Sequence, residues 1–184
     1  MKQDRIALLI GRFQPFHKGH LHAVKYILSR EKFLYIGVGS ALESHTKRNP
    51  FTFAERFIMI SSVLKNEGIN NDLYYILPIP DSNIHSTWVS IVESIVPSFQ
   101  VVYSNDPLTR VLMRERGYYV EEIPLYMREV YSGEEFRRRV VENGNWRELI
   151  PEPVYKIILD RRLDQRIRDL WKTDKIKRSR FSKE

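Results

Sequence analysis

The sequence predicts an α/β fold in which a doubly wound parallel sheet carries helices on both of its faces. Five short apolar runs have the length and composition of buried strands, and helical patterns stand between them. Glycine or proline follows most of these runs, as expected where a strand passes into a turn. Alternating strands and helices favour a parallel sheet. In such sheets ligands bind beyond the carboxyl ends of the strands, where the strand order reverses.

Along the chain, two of the five predicted strands precede a well-marked helix and three follow it. In chain order the strands are residues 6–10, 33–38, 73–79, 100–103 and 118–123. Thr52 and Glu55 have the spacing of a capping box, in which each side chain accepts from the other's backbone N–H. The helix that they begin is expected to end at about Lys65, before Gly68.

Three further helices follow. Asp106 before Pro107 predicts an N-cap and a first helical residue. Ser132 and Glu135 have the spacing of a second capping box, and Gly144 is expected to close that helix. The chain is predicted to be helical from about residue 151 onward. Residues 1–171 are therefore expected to form a single domain, followed by a basic, flexible tail at 172–184.

Composition narrows the classes of protein that the chain can represent. Of 184 residues 42% are hydrophobic and none is cysteine, so we expect a globular chain without disulfides or thiolate metal sites. No apolar stretch reaches the ~20 residues that cross a bilayer, and the expected location is the cytoplasm. The tail has six Lys/Arg and two acids, so it carries +4 of the net +7. A solubilising terminus is favoured over a nucleic-acid arm, and neither a nucleic-acid nor a membrane partner is expected.

The turn after the first strand carries the strongest functional signal. His17 and His20 are three residues apart at the expected start of a helix, which places both imidazoles on one face. Gly11 is expected to release the backbone from the strand, and Gly19 leaves room for an approaching phosphate. With the free N–H groups of the helix N-terminus, these side chains would form a donor array for a phosphate chain. Zinc ligation and solvent-exposed surface histidines are the alternatives.

Residues 11–20 resemble the signature of a known superfamily. The segment Gly11-Arg12-Phe13-Gln14-Pro15-Phe16-His17-Lys18-Gly19-His20 resembles the signature of the nucleotidyltransferase superfamily, and the chain to about Pro153 resembles its archaeal-type nicotinamide-nucleotide adenylyltransferases. The further similar segments are residues 36–41, 44–46, 49–52 with 55–56, 104–108, and 131–133 with 137–139. The resemblance implies a Rossmann-like nucleotidyltransferase fold and the formation of NAD and pyrophosphate from ATP and nicotinamide mononucleotide.

The resemblance also implies roles for individual residues. The catalytic residues it implies are His17, His20, Arg12 and Arg137. The residues it implies for ATP and phosphate binding are Gly11, Arg12, Phe13, Gly19, Arg48, Ser104, Asn105, Ser132 and Arg137. Asp81 and Trp88 would bind nicotinamide mononucleotide, the indole by stacking on the pyridinium. The alternatives are core packing for Trp88, a loop charge for Arg48, and turn formation for Ser104 and Asn105.

One position departs from the resemblance. Glu134 stands where the family usually has threonine, and a carboxylate there would repel a phosphate unless it turned outward in the first turn of the helix. Of the three successive arginines that follow, only Arg137 matches the family. Successive helical residues point about 100° apart, so Arg138 and Arg139 are expected to be solvated or to lie between subunits.

The expected reaction is an in-line displacement. A phosphate oxygen of the mononucleotide attacks the α-phosphorus of ATP, so no protein nucleophile is required, and catalysis is positioning and electrostatics. Magnesium, or another divalent cation, would be bound mainly through the substrate phosphates and water. The resemblance implies a homo-oligomer, with a hexamer as one form. The alternatives are a sister adenylyl- or cytidylyltransferase with another phosphate acceptor, and a non-catalytic nucleotide sensor.

Overall fold

One five-stranded sheet forms the centre of the fold. The computed structural model describes residues 3–124 and 130–181, with side chains at 4–124 and 130–172. The strands are β1 (Gln3–Gly11), β2 (Glu31–Val38), β3 (Tyr74–Pro78), β4 (Val101–Tyr103) and β5 (Tyr119–Glu121). They are all parallel, in the order β3-β2-β1-β4-β5. All five predicted strands are confirmed, and the strand order reverses between β1 and β4.

Helices cover both faces of this sheet, as predicted. They are α1 (Lys18–Arg30), α2 (Phe53–Asn66), α3 (His85–Ile95), α4 (Pro107–Glu115), α5 (Gly133–Val141), α6 (Glu152–Asp160) and α7 (Leu163–Phe181). Side chains alternate between the faces along each strand. In β1, Ala7 and Leu9 therefore pack with α1, α2 and α5–α7, whereas Leu8 packs with α3 and α4.

Local side chains fix where the helices begin. Thr52 and Glu55 form the predicted capping box at the start of α2, and Asp106 caps α4 with Pro107 next to it. Ser132 also caps α5, but the second predicted capping box is only half formed. The carboxylate of Glu135 binds Arg138 and Arg139 and does not return to the backbone of Ser132. Two nearby cations compete successfully with one N–H for this carboxylate.

One expectation about a glycine is confirmed with a change, and another is wrong. Helix α5 ends at Val141, and Gly144 helps to close it by donating its N–H to the carbonyl of Arg139 at 2.8 Å, but the left-handed residue is Asn143, with φ of 57°. Asparagine tolerates this conformation better than most residues. At the end of β1 the left-handed residue is Phe13, with φ of 50°. Among the described residues, positive φ at glycine occurs only at Gly68 and Gly117, so Gly11 does not provide the backbone release.

The C-terminal region is helical, as the sequence predicts. Helix α6 begins at Glu152, and α7 continues past residue 172 to Phe181, although the sequence analysis places a flexible tail from 172. The division into a domain and a tail stays a prediction. Within the described residues, no helix combines the length and the apolar character that a membrane span needs.

Candidate active site

A cavity of about 1010 Å³ opens beyond the carboxyl ends of the strands. Its walls come from the segments that follow β1, β2, β3 and β4 and from the start of α5. This is the edge at which ligands bind in open parallel sheets, and the cavity includes the point of strand reversal between β1 and β4. All the predicted site residues line it: Gly11, Arg12, Phe13, His17, Gly19, His20, Arg48, Asp81, Trp88, Ser104, Asn105, Ser132 and Arg137.

The turn between β1 and α1 is built around the ring of Phe13. This ring is buried, and a Cβ atom added to Gly11 would lie 2.9 Å from its Cζ atom. Glycine is therefore needed at position 11 for space and not for its φ angle. Gly19 has a similar role, because a Cβ there would lie 3.1 Å from the His17 ring and 3.2 Å from Cβ of Tyr131.

The two histidines cap the start of α1 reciprocally. The backbone N–H of His20 donates to Nδ1 of His17 at 3.3 Å, and the N–H of His17 donates to Nδ1 of His20 at 3.2 Å. Their rings stack with centroids 3.5 Å apart. Because each Nδ1 accepts a hydrogen bond, a neutral ring must carry its proton on Nε2. Both imidazoles therefore keep an Nε2–H donor for a ligand. The two histidines are three residues apart because a capping box joins the N-cap residue to the third residue of the helix.

Burial keeps this pair neutral. The Phe13 ring meets the His20 ring edge-on with centroids 4.7 Å apart, and the Phe16 ring stacks on it at 5.6 Å. Burial lowers the pKa of His17 to about 3. Burial and the neighbouring His17 hold the pKa of His20 well below its ordinary value. Above the range of these lowered pKa values the pair provides neutral hydrogen-bond donors, and the adjacent arginines provide the positive charge.

Three arginines bring like charges together at the cavity. Burial, followed by the charge of Arg48, lowers the pKa of Arg12. Burial, followed by the charges of Arg12 and Arg48, lowers the pKa of Arg137 to about 10. Within the described part of the chain, none of the three forms an ion pair with a carboxylate. Guanidinium groups clustered in this way are suited to a polyanionic ligand, which would relieve their repulsion.

Helix α5 is seated directly on the turn after β1. Arg137 Nη1 donates to the carbonyl of Gln14 at 3.0 Å, and a Cβ on Gly133 would lie 2.8 Å from the same oxygen. Arg138 binds Glu135 and Glu142 and lies outside the cavity lining. Arg139 also lies outside it and binds Glu135 and Glu148. The prediction that only one of the three arginines can serve the site is consistent with this arrangement.

The first turn of α5 also carries the residue that departs from the family. Glu134 is exposed and lines the cavity, where its charge offsets part of the lowering of the Arg137 pKa by burial and by Arg12. Ser132 lines the cavity as well, and its Oγ accepts from the N–H of Glu135 at 3.1 Å. The phosphate end of the cavity therefore contains one carboxylate beside Arg137.

Residues after β3 form one side of the cavity. Asp81 is exposed there, and Trp88 is half-buried, with one part against the core between α3 and the sheet and another part lining the cavity. The core packing of Trp88 is therefore observed, and its stacking on a ligand stays a prediction. His85, the first residue of α3, also lines this side, and the sequence analysis missed it. Its spacing of three from Trp88 on a helix is the signal that would have identified it.

Residues after β4 form the opposite side. Ser104 is buried, and its Oγ accepts from the N–H of Asp106 at 3.1 Å. The Asn105 amide exchanges two hydrogen bonds of 2.9 Å with the backbone of Ile123. Both side chains thus hold the loop in shape, which supports the alternative that they are turn formers. Because both polar atoms of its amide are engaged, we expect Asn105 to contact a ligand mainly through its backbone.

A second residue that the sequence analysis gave no role is Arg56. It belongs to a segment that resembles the family, but its side chain is fully buried behind the cavity wall, which no pattern of sequence spacing reveals. Burial lowers its pKa to about 10.

Comparison with known proteins identifies the family. Residues 8–139 match the family model described as cytidylyltransferase-like. The nicotinamide-nucleotide adenylyltransferase of Thermoplasma acidophilum is 46% identical over 173 residues, covering 94% of this chain and 96% of the relative. That of Saccharolobus solfataricus is 46% identical over 165 residues, covering 90% of this chain and 96% of the relative. The chain belongs to the cytidylyltransferase-like family, among its nicotinamide-nucleotide adenylyltransferases. The resemblance described above is thereby confirmed.

Solved structures of more distant proteins share the fold. A bifunctional NMN adenylyltransferase/ADP ribose pyrophosphatase from Francisella tularensis superposes with a TM-score of 0.76 at 23% identity. The match covers 91% of this chain and 53% of that one, so this chain spans about half of the bifunctional protein. A second structure of that protein, complexed with AMP and a manganese ion, superposes with a TM-score of 0.72 at 24% identity.

Proposed function

We propose that this protein transfers the adenylyl group of ATP to nicotinamide mononucleotide, forming NAD and pyrophosphate. The observation that carries the proposal is the convergence of two neutral histidines and three arginines at one cavity, at the reversal of the strand order. The sides of the cavity extend from this centre toward the residues after β3 and after β4. Such a shape suits two nucleosides joined through phosphates.

The reaction needs no covalent intermediate with the protein. A phosphate oxygen of the mononucleotide forms a bond to the α-phosphorus of ATP. The bond from that phosphorus to the oxygen that bridges to the β-phosphate breaks, and pyrophosphate leaves with the bonding electron pair. The protein contributes by holding the attacking and leaving oxygens in line and by stabilising the negative charge that develops on the phosphate oxygens.

Each charged or polar group at the centre has a distinct part in this step. His17 and His20 donate from Nε2 to phosphate oxygens, and the backbone N–H groups that bind their Nδ1 atoms keep the rings in the donating tautomer. Arg12, Arg48 and Arg137 bind and neutralise the phosphates. Asp81 accepts from the ribose or carboxamide of the mononucleotide, and Trp88 stacks on its pyridinium ring.

We expect a divalent cation, with magnesium as the expected ion, to enter this cavity with the substrate phosphates. Within the described residues no group of three His, Cys, Asp or Glu side chains could hold a metal ion. The carboxylates of the lining are not grouped around one point, so the ion would take most of its oxygen ligands from the triphosphate and water. When bound, it neutralises part of the triphosphate charge. Glu134, at the phosphate end, is the carboxylate that we expect to meet this ion, through its water.

The proposal is tested by measuring NAD and pyrophosphate formation from ATP, magnesium and nicotinamide mononucleotide. Parallel reactions contain nicotinic acid mononucleotide, pantetheine phosphate or FMN as the acceptor. The His20→Ala variant is the active-site control, and His22→Ala, on the same helix but outside the cavity lining, is its matched control. NAD formation that depends on His20 supports the proposal. Folded protein that binds ATP but uses neither pyridine mononucleotide would refute it in favour of another acceptor or a nucleotide sensor.

We further propose that the protein is a homo-oligomer, with the hexamer as the expected form. Several large apolar side chains are exposed near the cavity edge of the sheet, among them Leu42 at 85% and Ile84 at 60%. Exposed apolar side chains of this size are common at contacts between subunits. Light scattering coupled to size-exclusion chromatography measures the mass directly, and a monomer of 22.0 kDa at micromolar concentration would contradict the proposal.

A further inference from the structure

Arg56 is a fully buried cation whose hydrogen bonds go to the backbone of the cavity wall. Its Nη1 donates to the carbonyl oxygens of Arg12 at 2.9 Å and Gly39 at 2.7 Å, and its Nη2 donates to that of Ser40 at 3.0 Å. Nε donates to the carbonyl of Thr52 at 3.2 Å, within its own helix. Within the described residues every hydrogen bond of Arg56 goes to a backbone carbonyl, and the carboxylates of Asp81 and Glu55 act on its charge without hydrogen-bonding to it.

The geometry of the peptide bond determines where the other ends of these peptides point. In a trans peptide the C=O and the following N–H point in opposite directions. The carbonyl of Arg12 faces Arg56, so the N–H of Phe13 points away from it. The same holds for the carbonyl of Gly39 and the N–H of Ser40. Phe13 and Ser40 both line the cavity, whereas Arg56 does not.

Neither of these two N–H groups has an acceptor in the part of the chain that the structure describes. The N–H of Ala41, by contrast, donates to the carbonyl of Ile79 at 3.1 Å. Phe13 and Ser40 are also both left-handed, with φ of 50° and 47°. Residues with a side chain adopt this conformation only when their surroundings impose it. Phe13 and Ser40 are thus two strained residues with unused N–H groups, and the guanidinium group of Arg56 binds the carbonyl that precedes each of them.

We propose that Arg56 is a positioning residue that turns the Phe13 and Ser40 N–H groups toward the cavity, where they bind a phosphate group of the substrates. Together they would act as an anion-binding pair, comparable to the backbone nests that bind phosphates in other folds. The buried charge of Arg56 adds to the positive potential behind the pair. The proposal rests on the proposed function only in taking the ligand to be a phosphate compound.

Kinetics of two variants provide the first test. Arg56→Met removes the charge and all four hydrogen bonds at similar length, and Arg56→Lys keeps the charge without the planar fork that spans three carbonyls. We expect kcat/KM to fall by about a hundredfold in Arg56→Met, as for the loss of preorganised backbone donors, and less in Arg56→Lys. Arg5→Met is the matched control, because it removes a cation from the buried Glu31 at the other end of β1. It should leave kcat/KM within about twofold of the wild type.

Backbone amide NMR distinguishes this role from a purely structural one. The ¹⁵N-labelled full chain is titrated with nicotinamide mononucleotide and, separately, with inorganic pyrophosphate. In the wild type, the amide proton of Phe13 or of Ser40 should shift downfield on saturation, and this shift should be lost in Arg56→Lys at saturating ligand. The ligand-induced chemical shift does not depend on NAD formation, so this test can fail or succeed independently of the proposed reaction.

Three results would overturn the proposal. One is a wild type in which neither amide responds to either probe. Another is a variant that keeps the same ligand-induced shift while the hydrogen bonds of Arg56 are gone. The third is an equal loss of kcat/KM in Arg5→Met, which would make general destabilisation the cause. If Arg56→Met fails to fold, Arg56→Lys provides the kinetic and the NMR measurements alone.

Discussion

Mild acid should destabilise this protein through its buried histidine pair, in a pH range above that of the carboxylates. Burial lowers the pKa of His17 to about 3, whereas an unfolded histidine has a pKa of about 6.5. Below pH 6.5 the His17 imidazole therefore binds a proton in the unfolded chain but not in the folded protein. Its contribution to the free energy of unfolding is complete above that pH and is lost as the pH decreases. Linkage gives a loss of about 2 kcal/mol between pH 7 and pH 5 for His17. The lowered pKa of His20 adds a loss in the same direction.

The measurement is the free energy of unfolding in urea at half-unit intervals from pH 7 to pH 5. His17→Asn is the informative variant, because an asparagine can cap α1 without titrating. Its profile should be flatter than that of the wild type by about 2 kcal/mol over this range. The pKa values of Glu31 and Glu55 are lowered by their arginine partners, so these groups lose stability only below about pH 4.3. Parallel profiles for the two proteins would show that His17 is not held neutral, and the tautomer argument would fail with it.

Four other changes have expected outcomes. His20→Ala should reduce kcat by a hundredfold or more, a loss of at least about 2.7 kcal/mol of transition-state stabilisation, measured by NAD formation. Arg137→Gln should reduce kcat/KM by about a hundredfold, whereas Arg138→Gln, the next residue on the same helix, should leave it near the wild-type value; equal losses would remove Arg137 from the site. Glu134→Thr should tighten the binding of metal-free ATP severalfold by calorimetry, since a carboxylate beside the phosphates repels them. Thr52→Ala should cost about 1 kcal/mol of unfolding free energy in urea, and no change would mean that its cap is not used.

The sequence is informative about elements whose signals are local. The strands were located to within three residues because each is a buried apolar run bounded by glycine, proline or polar residues. Thr52 and Asp106 located two helix starts for the same reason. The direct passage of α1 into β2 was not predicted. Strand β2 begins at Glu31, a fully buried carboxylate that Arg5 and Tyr103 satisfy, and a buried acid does not look like the start of a strand.

The features of the site that the sequence did not predict depend on contacts between distant segments. Gly11 was assigned a backbone role, but its requirement comes from the ring of Phe13, two residues on. The amide of Asn105 is engaged by Ile123, on the far side of α4 and β5 in the chain. Arg56 makes three of its four hydrogen bonds to loops that follow other strands. The residue types that carry phosphate chemistry are recognisable from spacing, whereas the groups that hold them in place are not.

On the proposed function, the strand order would separate chemistry from specificity in this cavity. The residues that follow β1, the central strand, supply both histidines and Arg12, so the proposal puts the reacting phosphates above the middle of the sheet. Asp81 follows β3 at one edge, and Ser104 follows β4 on the other side of β1. Because Asp81 and Ser104 follow strands on opposite sides of β1, we expect a change at one side to alter the KM of one substrate and to leave that of the other nearly unchanged. A change at the centre should lower kcat for any acceptor, because every reaction must pass through the same phosphate geometry.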